Sequence, residues 1–362
     1  MNRMFDQRFD RFLLAAPVLI FLIGIFTLYS ASFKSGESEM ALVMKQVLWM
    51  GVGVLLVFLV IRVPYLRFRD MVWPFYGLSL LLLVLVLFAP ARMGAHRWIQ
   101  AGGFNFQPSE IAKLSVIFAL AHFFAQNRYE RTSTVKKLVP FILAGAPFLL
   151  ILKEPDLGTA LLLAPVLFSM LYLWGFKARR ILVMLGMVLA VSPFLFAFLK
   201  DYQKARLLVF VNPNLDPAGA GYTVIQSKIA IGSGGWWGKG FMGGTQNQLQ
   251  FLPERHTDFI FAVIAEEGGF LAASALLFLF GVIVKKGGAL CGRTSDAFGS
   301  QIACGITVMI GTQVLVNMAM TMGLLPVVGI PLPLVSYGGS SVVMTMLSVA
   351  FLLNIKIHKP LF

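Results

Sequence analysis

Charge is scarce in this chain. Only 13% of its residues are Asp, Glu, Lys or Arg, about half the share of an ordinary soluble domain. That shortage excludes a solvated surface over most of the molecule. Cysteine is nearly absent too: Cys291 and Cys304 are the only two. They carry no ligand spacing and no histidine neighbour, so they read as free thiols, with neither a disulfide framework nor a zinc site. Strand-length alternation of apolar and polar residues is missing, which removes the β-barrel as a way across a bilayer. Acids are outnumbered, 16 against 30 basic residues, leaving a formal net charge of +14.

What fills the sequence instead is hydrocarbon. Apolar residues make up 58% of it and fall in runs near the roughly 20 residues needed to span a membrane. In lipid the backbone must be satisfied internally, so bundled helices remain as the architecture. The expected fold is an all-α polytopic membrane protein, one integral domain over 1–362. Ten spans are predicted, at roughly 12–32, 42–62, 71–90, 108–125, 138–153, 158–175, 181–199, 259–284, 299–321 and 341–357. The first apolar stretch is too long for a signal-peptide core and lacks a clear cleavage site, so it counts as the first span. Basic residues collect in alternate loops, from Arg3, Arg8 and Arg11 at one end to Lys356 and Lys359 at the other. By the positive-inside rule this places both termini in the cytoplasm and explains the basic balance without a nucleic-acid partner.

One connection is long, residues 200–258, and it is predicted to lie outside the membrane. Its aromatic and apolar content argues against disorder. "YTVIQSKIAIGSG" reads as a short amphipathic helix at the interface, with Trp236 and Trp237 as anchors at headgroup level.

The outward-facing segments carry polar groups that topology does not require. "GAHRWIQAGGFNFQPSEIAKLS" (94–115) puts Glu110 and Lys113 three apart on one helix face, with Arg97 upstream. "KEPDLGTA" (153–160) places Glu154 and Asp156 in a tight turn. "LPERHTDF" (252–259) leads into the eighth span with Glu254, Arg255, His256 and Asp258. "PVVGIPLPLVSYGGSS" (326–341) brings Ser336 and Tyr337. All four are expected to converge on one outward-opening site. Each also has a plainer reading: Glu110–Lys113 as a simple ion pair, Asp156 as a turn residue, Asp258 as a helix N-cap. His256 reads as a hydrogen-bonded neighbour rather than a catalytic group. Glu266 and Glu267 lie about two turns inside the eighth span, where ionisable residues are functional by default; the alternative is that an "EEGG" break tucks them against polar groups of another helix. "GKGFMG" (238–243) fits a glycine pattern for nucleotides, but no strand precedes it.

"FLPERHTDFIFAVIAEE", "FQPSEIAKL", "PDLGTA" and "GIPLPLVSYGGSS" together resemble the signature segments of the SEDS family (shape, elongation, division and sporulation proteins). The resemblance covers nearly the whole chain. The short N-terminus and Arg255 look more like the RodA elongation branch than the FtsW division branch. His96 and Glu154 vary from the typical pattern. The resemblance implies a peptidoglycan glycosyltransferase in the bacterial inner membrane, with its site facing outside, that polymerises lipid II while the glycan stays on undecaprenyl pyrophosphate. It implies Asp258 as the essential aspartate acting on the acceptor GlcNAc 4-hydroxyl. Glu110, Lys113 and Asp156 match the family's polar positions.

A sugar hydroxyl is a weak nucleophile, so a placed carboxylate is expected to contribute about 10²–10⁴-fold. A pyrophosphate leaving group needs cations, for which Lys113, Arg97 and Arg255 are the candidates, with Ser336 and Tyr337 as hydrogen-bonding groups. A divalent cation, Mg or Mn, would act through the same term; no ligand set in the sequence identifies its site. The implied partners are a class B penicillin-binding protein and other membrane proteins of the elongation complex. Two competing readings are a lipid II flippase and a non-catalytic scaffold of the synthase complex. A flippase wants ionisable groups across the whole bilayer, whereas here they gather at one face.

Overall fold

The computed structural model describes residues 10–32, 39–90, 97–101, 104–127, 134–196, 201–217 and 219–358. Arg3, Arg8, His96 and Lys359 lie outside the described residues, as do both ends of the chain. The architecture is helical, as expected. Helices run over Arg11–Ser32 (α1), Glu39–Arg62 (α2), Val72–Val86 (α3), Pro108–Gln126 (α4), Thr134–Lys153 (α5), Leu157–Trp174 (α6), Ala178–Phe196 (α7), Asp201–Val211 (α8), Ala220–Gly234 (α9), Thr245–Gln248 (α10), Ile260–Arg293 (α11), Ala297–Thr321 (α12) and Gly339–His358 (α13). Each of the ten predicted spans falls on a helix, and eight helices are long and apolar enough to cross a membrane by length and composition. The two outside that set are α5, which opens with Lys136 and Lys137, and α7, which opens with Arg179 and Arg180.

Local signals explain where the helices stop. Pro108 opens α4 at a position where its missing N–H costs nothing. Gly175 closes α6 in a left-handed conformation, φ 110°. Asp156 caps α6 and Asp296 caps α12, each accepting a backbone N–H three residues on. Helix α11 runs nine residues beyond its predicted end, because Lys285, Lys286 and Arg293 leave the apolar run without breaking the helix.

Helix α4 is the axis of the bundle: from Pro108 to Phe124 nearly every side chain is buried. It packs against α3, α5, α6, α12 and α13. Around this axis α2 lies along α13, α1 along α11, and α11 along α12. Helix α7 meets the bundle chiefly at α6 and presents Leu182, Val188, Leu189 and Phe194 outward, as a lipid-facing helix does.

The long connection is mostly helical. Helix α9 packs chiefly on α11, buries Val224, Ser227 and Ala230 as one helical stripe, with Ser227 Oγ donating to the Thr321 carbonyl of α12 (2.7 Å), and keeps its other face open. Trp236 and Trp237 follow it fully outward, 69% and 79% exposed, as interface anchors should be. A short hairpin was not foreseen: Ile99–Ala101 (β1) pairs antiparallel with Phe104–Phe106 (β2), Ile99 opposite Phe106. It delivers the chain into α4.

Candidate active site

Three of the four polar segments named above meet directly around the residues before α11. The Pro/Gly-rich stretch before α13 carries "LPERHTDF" on its back. Ser336 Oγ donates to the Thr257 carbonyl (2.6 Å) and accepts from Leu332 N (2.8 Å). Tyr337 N donates to the His256 carbonyl (2.9 Å). From α12, Asn317 Nδ2 donates to the carbonyls of Asp258 (3.0 Å) and Ile330 (2.7 Å). The α5–α6 turn closes from the other side: a Cβ on Gly158 would lie 2.5 Å from the Val328 carbonyl oxygen. Gly158 is thus glycine because two backbones touch there.

Asp258 stands at the centre of this frame. The cap of α11 is Phe259, without a side-chain cap bond, so the N-cap reading of Asp258 does not hold. Among the described residues nothing donates a hydrogen bond to its carboxylate. The side chain is half-buried beside Gly329, where a Cβ would sit 3.4 Å from Oδ2. Desolvation pushes its pKa up to about 6, helped by the charge of Glu254 and opposed by Arg206 and Arg97. A carboxylate with few donors in a poorly hydrated place holds protons more tightly than usual.

Arg97 and Arg206 supply the positive charge. Arg97 Nε donates to the Glu154 carbonyl (3.3 Å) and its Nη2 donates to the Pro155 carbonyl. Arg206 Nη1 donates to the Val327 carbonyl (3.3 Å). The two guanidiniums line one cleft with Leu157, Gln203, Leu207 and Pro326. That cleft continues into an apolar groove walled by Val209, Phe210, Val224 and Leu325. Arg206 and Gln203 were missed by sequence reasoning because they lie on α8, inside what reads as loop. Glu154, a variation from the typical pattern, is fully buried, and among the described residues neither of its carboxylate oxygens is hydrogen-bonded. Burial, with the Asp156 charge second, pushes its pKa up to about 9.

The remaining expected site residues serve the frame. Asp156 binds Thr159 N (3.2 Å) and Thr159 Oγ1 (2.8 Å), and Gln107 Nε2 reaches it at 3.4 Å. Lys113 Nζ is closed on Glu110 Oε1 (2.7 Å), both side chains buried, which is the plain ion pair. Ser336 is 2% exposed and fully engaged with backbone. Arg255 is placed elsewhere altogether. Its buried guanidinium donates from Nε to the Ala31 carbonyl (2.6 Å) and from Nη1 to the Asn247 carbonyl (3.2 Å).

Glu266 and Glu267 complete that second arrangement. Glu266 accepts from Lys239 Nζ (2.8 Å), Thr245 Oγ1 (3.2 Å), Gln246 N (2.9 Å) and Asn247 N (3.3 Å). Glu267 accepts from Ser30 Oγ (2.5 Å) and Asn247 Nδ2 (3.0 Å). Gly269 breaks α11 at φ 65°, and Lys239 N and Gly240 N fill the carbonyls of Glu266 and Glu267 at 3.0 Å each. The "EEGG" break therefore seats the long connection on α11 and α1. It also accounts for "GKGFMG", whose Gly238 (φ 77°) would place a Cβ 2.1 Å from the Glu267 carbonyl oxygen.

The sequence model of the FtsW/RodA/SpoVE family, described as cell cycle protein, matches residues 10–360. The chain belongs to this family. It is 38% identical over 350 residues to the peptidoglycan glycosyltransferase MrdB of Escherichia coli (strain K12), covering 95% of this chain and 94% of that protein. It is 36% identical over 356 residues to the stage V sporulation protein E of Bacillus subtilis (strain 168), covering 96% of each. Among solved structures, its fold is similar to the rod shape determining protein RodA of Thermus thermophilus, with TM-score 0.72, 30% identity and 96% of both chains covered. It is also similar to a chain of a peptidoglycan synthase complex that coordinates polymerization and crosslinking, with TM-score 0.82 and 34% identity over 96% of this chain and 97% of that one. Family and helices together make this FtsW/RodA/SpoVE member a multi-pass membrane protein.

Proposed function

We propose that Asp258 is the general base of glycan polymerisation, with Arg97 and Arg206 holding the leaving pyrophosphate. Peptidoglycan glycosyltransferase is the activity of the curated relatives, and by membership it is the activity of this chain. The reading of the site rests on one observation: Asp258 lies beside Arg97 and Arg206, half-buried rather than sealed in like Glu154, and among the described residues nothing donates to its carboxylate, with its pKa raised to about 6. A base that is ionised at neutral pH yet retains appreciable proton affinity suits this task. The acceptor GlcNAc 4-hydroxyl gives its proton to Asp258 as its oxygen bonds to the anomeric carbon of the donor. The anomeric carbon–oxygen bond to phosphate breaks, and the lipid pyrophosphate leaves with the electron pair. Arg97 and Arg206 are fixed by backbone carbonyls on one side, so they meet the developing charge without rearranging. The apolar groove beyond Arg206 suits the isoprenoid of lipid II.

Arg206 takes the phosphate role expected of Arg255, whose guanidinium is engaged in holding the loop. Glu110, Lys113, Asp156, Ser336 and Tyr337 act by positioning. Among the described residues no group of three or more His, Cys, Asp and Glu side chains forms a metal cage. Mg or Mn needs only one or two carboxylates when phosphates complete the sphere; the exposed Glu254 would hold it, leaving Asp258 for the proton, and it would supply charge neutralisation. The positive-inside rule puts this face outside the cytoplasmic membrane. Similarity to the synthase-complex chain supports a class B penicillin-binding protein as partner, alongside other elongation-complex membrane proteins.

The test is polymerisation of lipid II by purified wild type and Asp258→Ala, with EDTA and with added divalent cation. The wild type should build glycan, and the folded variant should lose it by about 10²–10⁴-fold. Full synthesis by folded Asp258→Ala would remove the base. Transfer of lipid II across liposomes without polymer would favour the flippase.

A further inference from the structure

A second built site lies at the opposite end of the bundle, on the order of 40–50 Å from Asp258 at 1.5 Å per helical residue along α11. The start of α1, the end of α11 and the end of α13 enclose a cleft of about 100 Å³ lined by Asp10, Lys286, Ala289, Leu290, Arg293 and Lys356. A water needs about 10–15 Å³ by the same measure, so the space admits a tetrahedral anion.

Asp10 organises the cleft. It is 5% exposed. Its Oδ1 accepts Phe12 N (3.1 Å) and Leu13 N (3.3 Å), and its Oδ2 takes Lys356 Nζ (2.5 Å) and Lys286 Nζ (3.1 Å). One carboxylate thus carries two cations, and Arg293 adds a third to the same cleft. Both lysine side chains stay partly in the open, 38% and 29% exposed for Lys286 and Lys356. Arg293 is exposed and has no ion pair or side-chain hydrogen bond among the described residues. The surplus of positive charge is fixed in place without being neutralised.

The cleft also sits at the edge of lipid. Phe12, the second residue of α1, is 68% exposed, and Lys286 Nζ stands 5.2 Å from its ring centroid. Below Phe12 the outward side chains Val18, Leu19, Leu22 and Phe26 continue the apolar face. Basic pockets between membrane helices at this depth suit anionic headgroups. We propose that this cleft binds the phosphate of an anionic phospholipid, with Arg293, Lys286 and Lys356 as its cationic contacts and an acyl chain lying along Phe12. Lipid would then tie together the ends of three helices, one of which, α11, begins beside Asp258.

The test uses the full chain in phosphatidylcholine nanodiscs with phosphatidylglycerol titrated in, read by native mass spectrometry. The wild type should retain one phosphatidylglycerol in preference to phosphatidylcholine. Arg293→Gln leaves both lysine pairs of Asp10 intact and should lower that preference about fivefold, the worth of one basic residue at a lipid surface. Lys285→Gln, exposed and outside the cleft, should leave it unchanged. Equal retention of both lipids, or an unaltered preference in Arg293→Gln, overturns the proposal. Loss of the preference on adding excess inorganic phosphate would also overturn it, by making the cleft a free-anion site. None of these outcomes bears on Asp258.

Discussion

At the mouth of α11 the Asp258 carboxylate accepts no hydrogen bond from the described residues, whereas about two turns along the same helix Glu266 accepts four. Both are acids at the N-terminal end of one helix. Glu266 is saturated by Lys239, a hydroxyl and two backbone amides, so it serves as a strut. Asp258 has charges around it but no donor upon it, and its affinity for a proton rises. The same division separates Arg255 from Asp258, three residues apart in "LPERHTDF". Arg255 is locked onto two carbonyls while Asp258 stays available. A charge held by many partners shapes the site, and one with few partners is left for chemistry.

The largest effect should come from Asp258→Asn, which keeps size and polarity but cannot accept the proton. Glycan synthesis should fall about 10²–10⁴-fold with the melting temperature unchanged. Glu266→Ala should do the reverse, acting first on stability. It strands Lys239 and two amides, and removing one partner of a buried pair costs about 3–5 kcal/mol. Because the Lys239 side chain is 27% exposed, the lower end of that range is expected, seen as a lower melting temperature. A stable Glu266→Ala with lost activity would dissolve the contrast between strut and base.

Glu154 sharpens the comparison from a third direction, since it is fully buried and its carboxylate accepts no hydrogen bond among the described residues. Its folded carboxyl keeps the proton up to about 9 against an ordinary value of 4.5. Between those values the folded state binds a proton that the unfolded state has released, so stability falls as pH rises through this window, by about 1.4 kcal/mol per pH step. Glu154→Gln should therefore stabilise the protein at pH 7, by up to about 3 kcal/mol, and have no such effect near pH 4. A melting-temperature series across pH checks both. The smallest effect is expected for Ser336→Ala, which removes one clamp on the Thr257 carbonyl and should cost about 1–2 kcal/mol with a modest loss of rate.

Much of this was legible in the sequence. Apolar run length located the helices, because lipid leaves the backbone few options. The four segments could be placed on one side from loop charge alone. The residues Asp258, Asp156 and Arg97 do meet there. Sequence reasoning went astray where a residue's use depends on what folds over it. Arg255 and Arg206 are both arginines in one long connection. Only tertiary packing decides that the first reaches Ala31 and Asn247 while the second reaches the cleft. Helix α8 was hidden because its run is short and mixed, and Glu154 because nothing local distinguishes a buried glutamate from an exposed one. The break at Gly269 was visible as "EEGG", but its partner, the turn 234–240, is some thirty residues away in sequence.

The most direct measurement of the central claim is the pH dependence of glycan synthesis by the wild type, at saturating lipid II in one membrane composition. If Asp258 is the base, the rate should fall about tenfold per pH step below a limb near 6 and level off above it. Glu254→Gln should shift that limb to lower pH, because the Glu254 charge raises the Asp258 value. A rate that runs flat through pH 6, or a limb unmoved by Glu254→Gln, would contradict it.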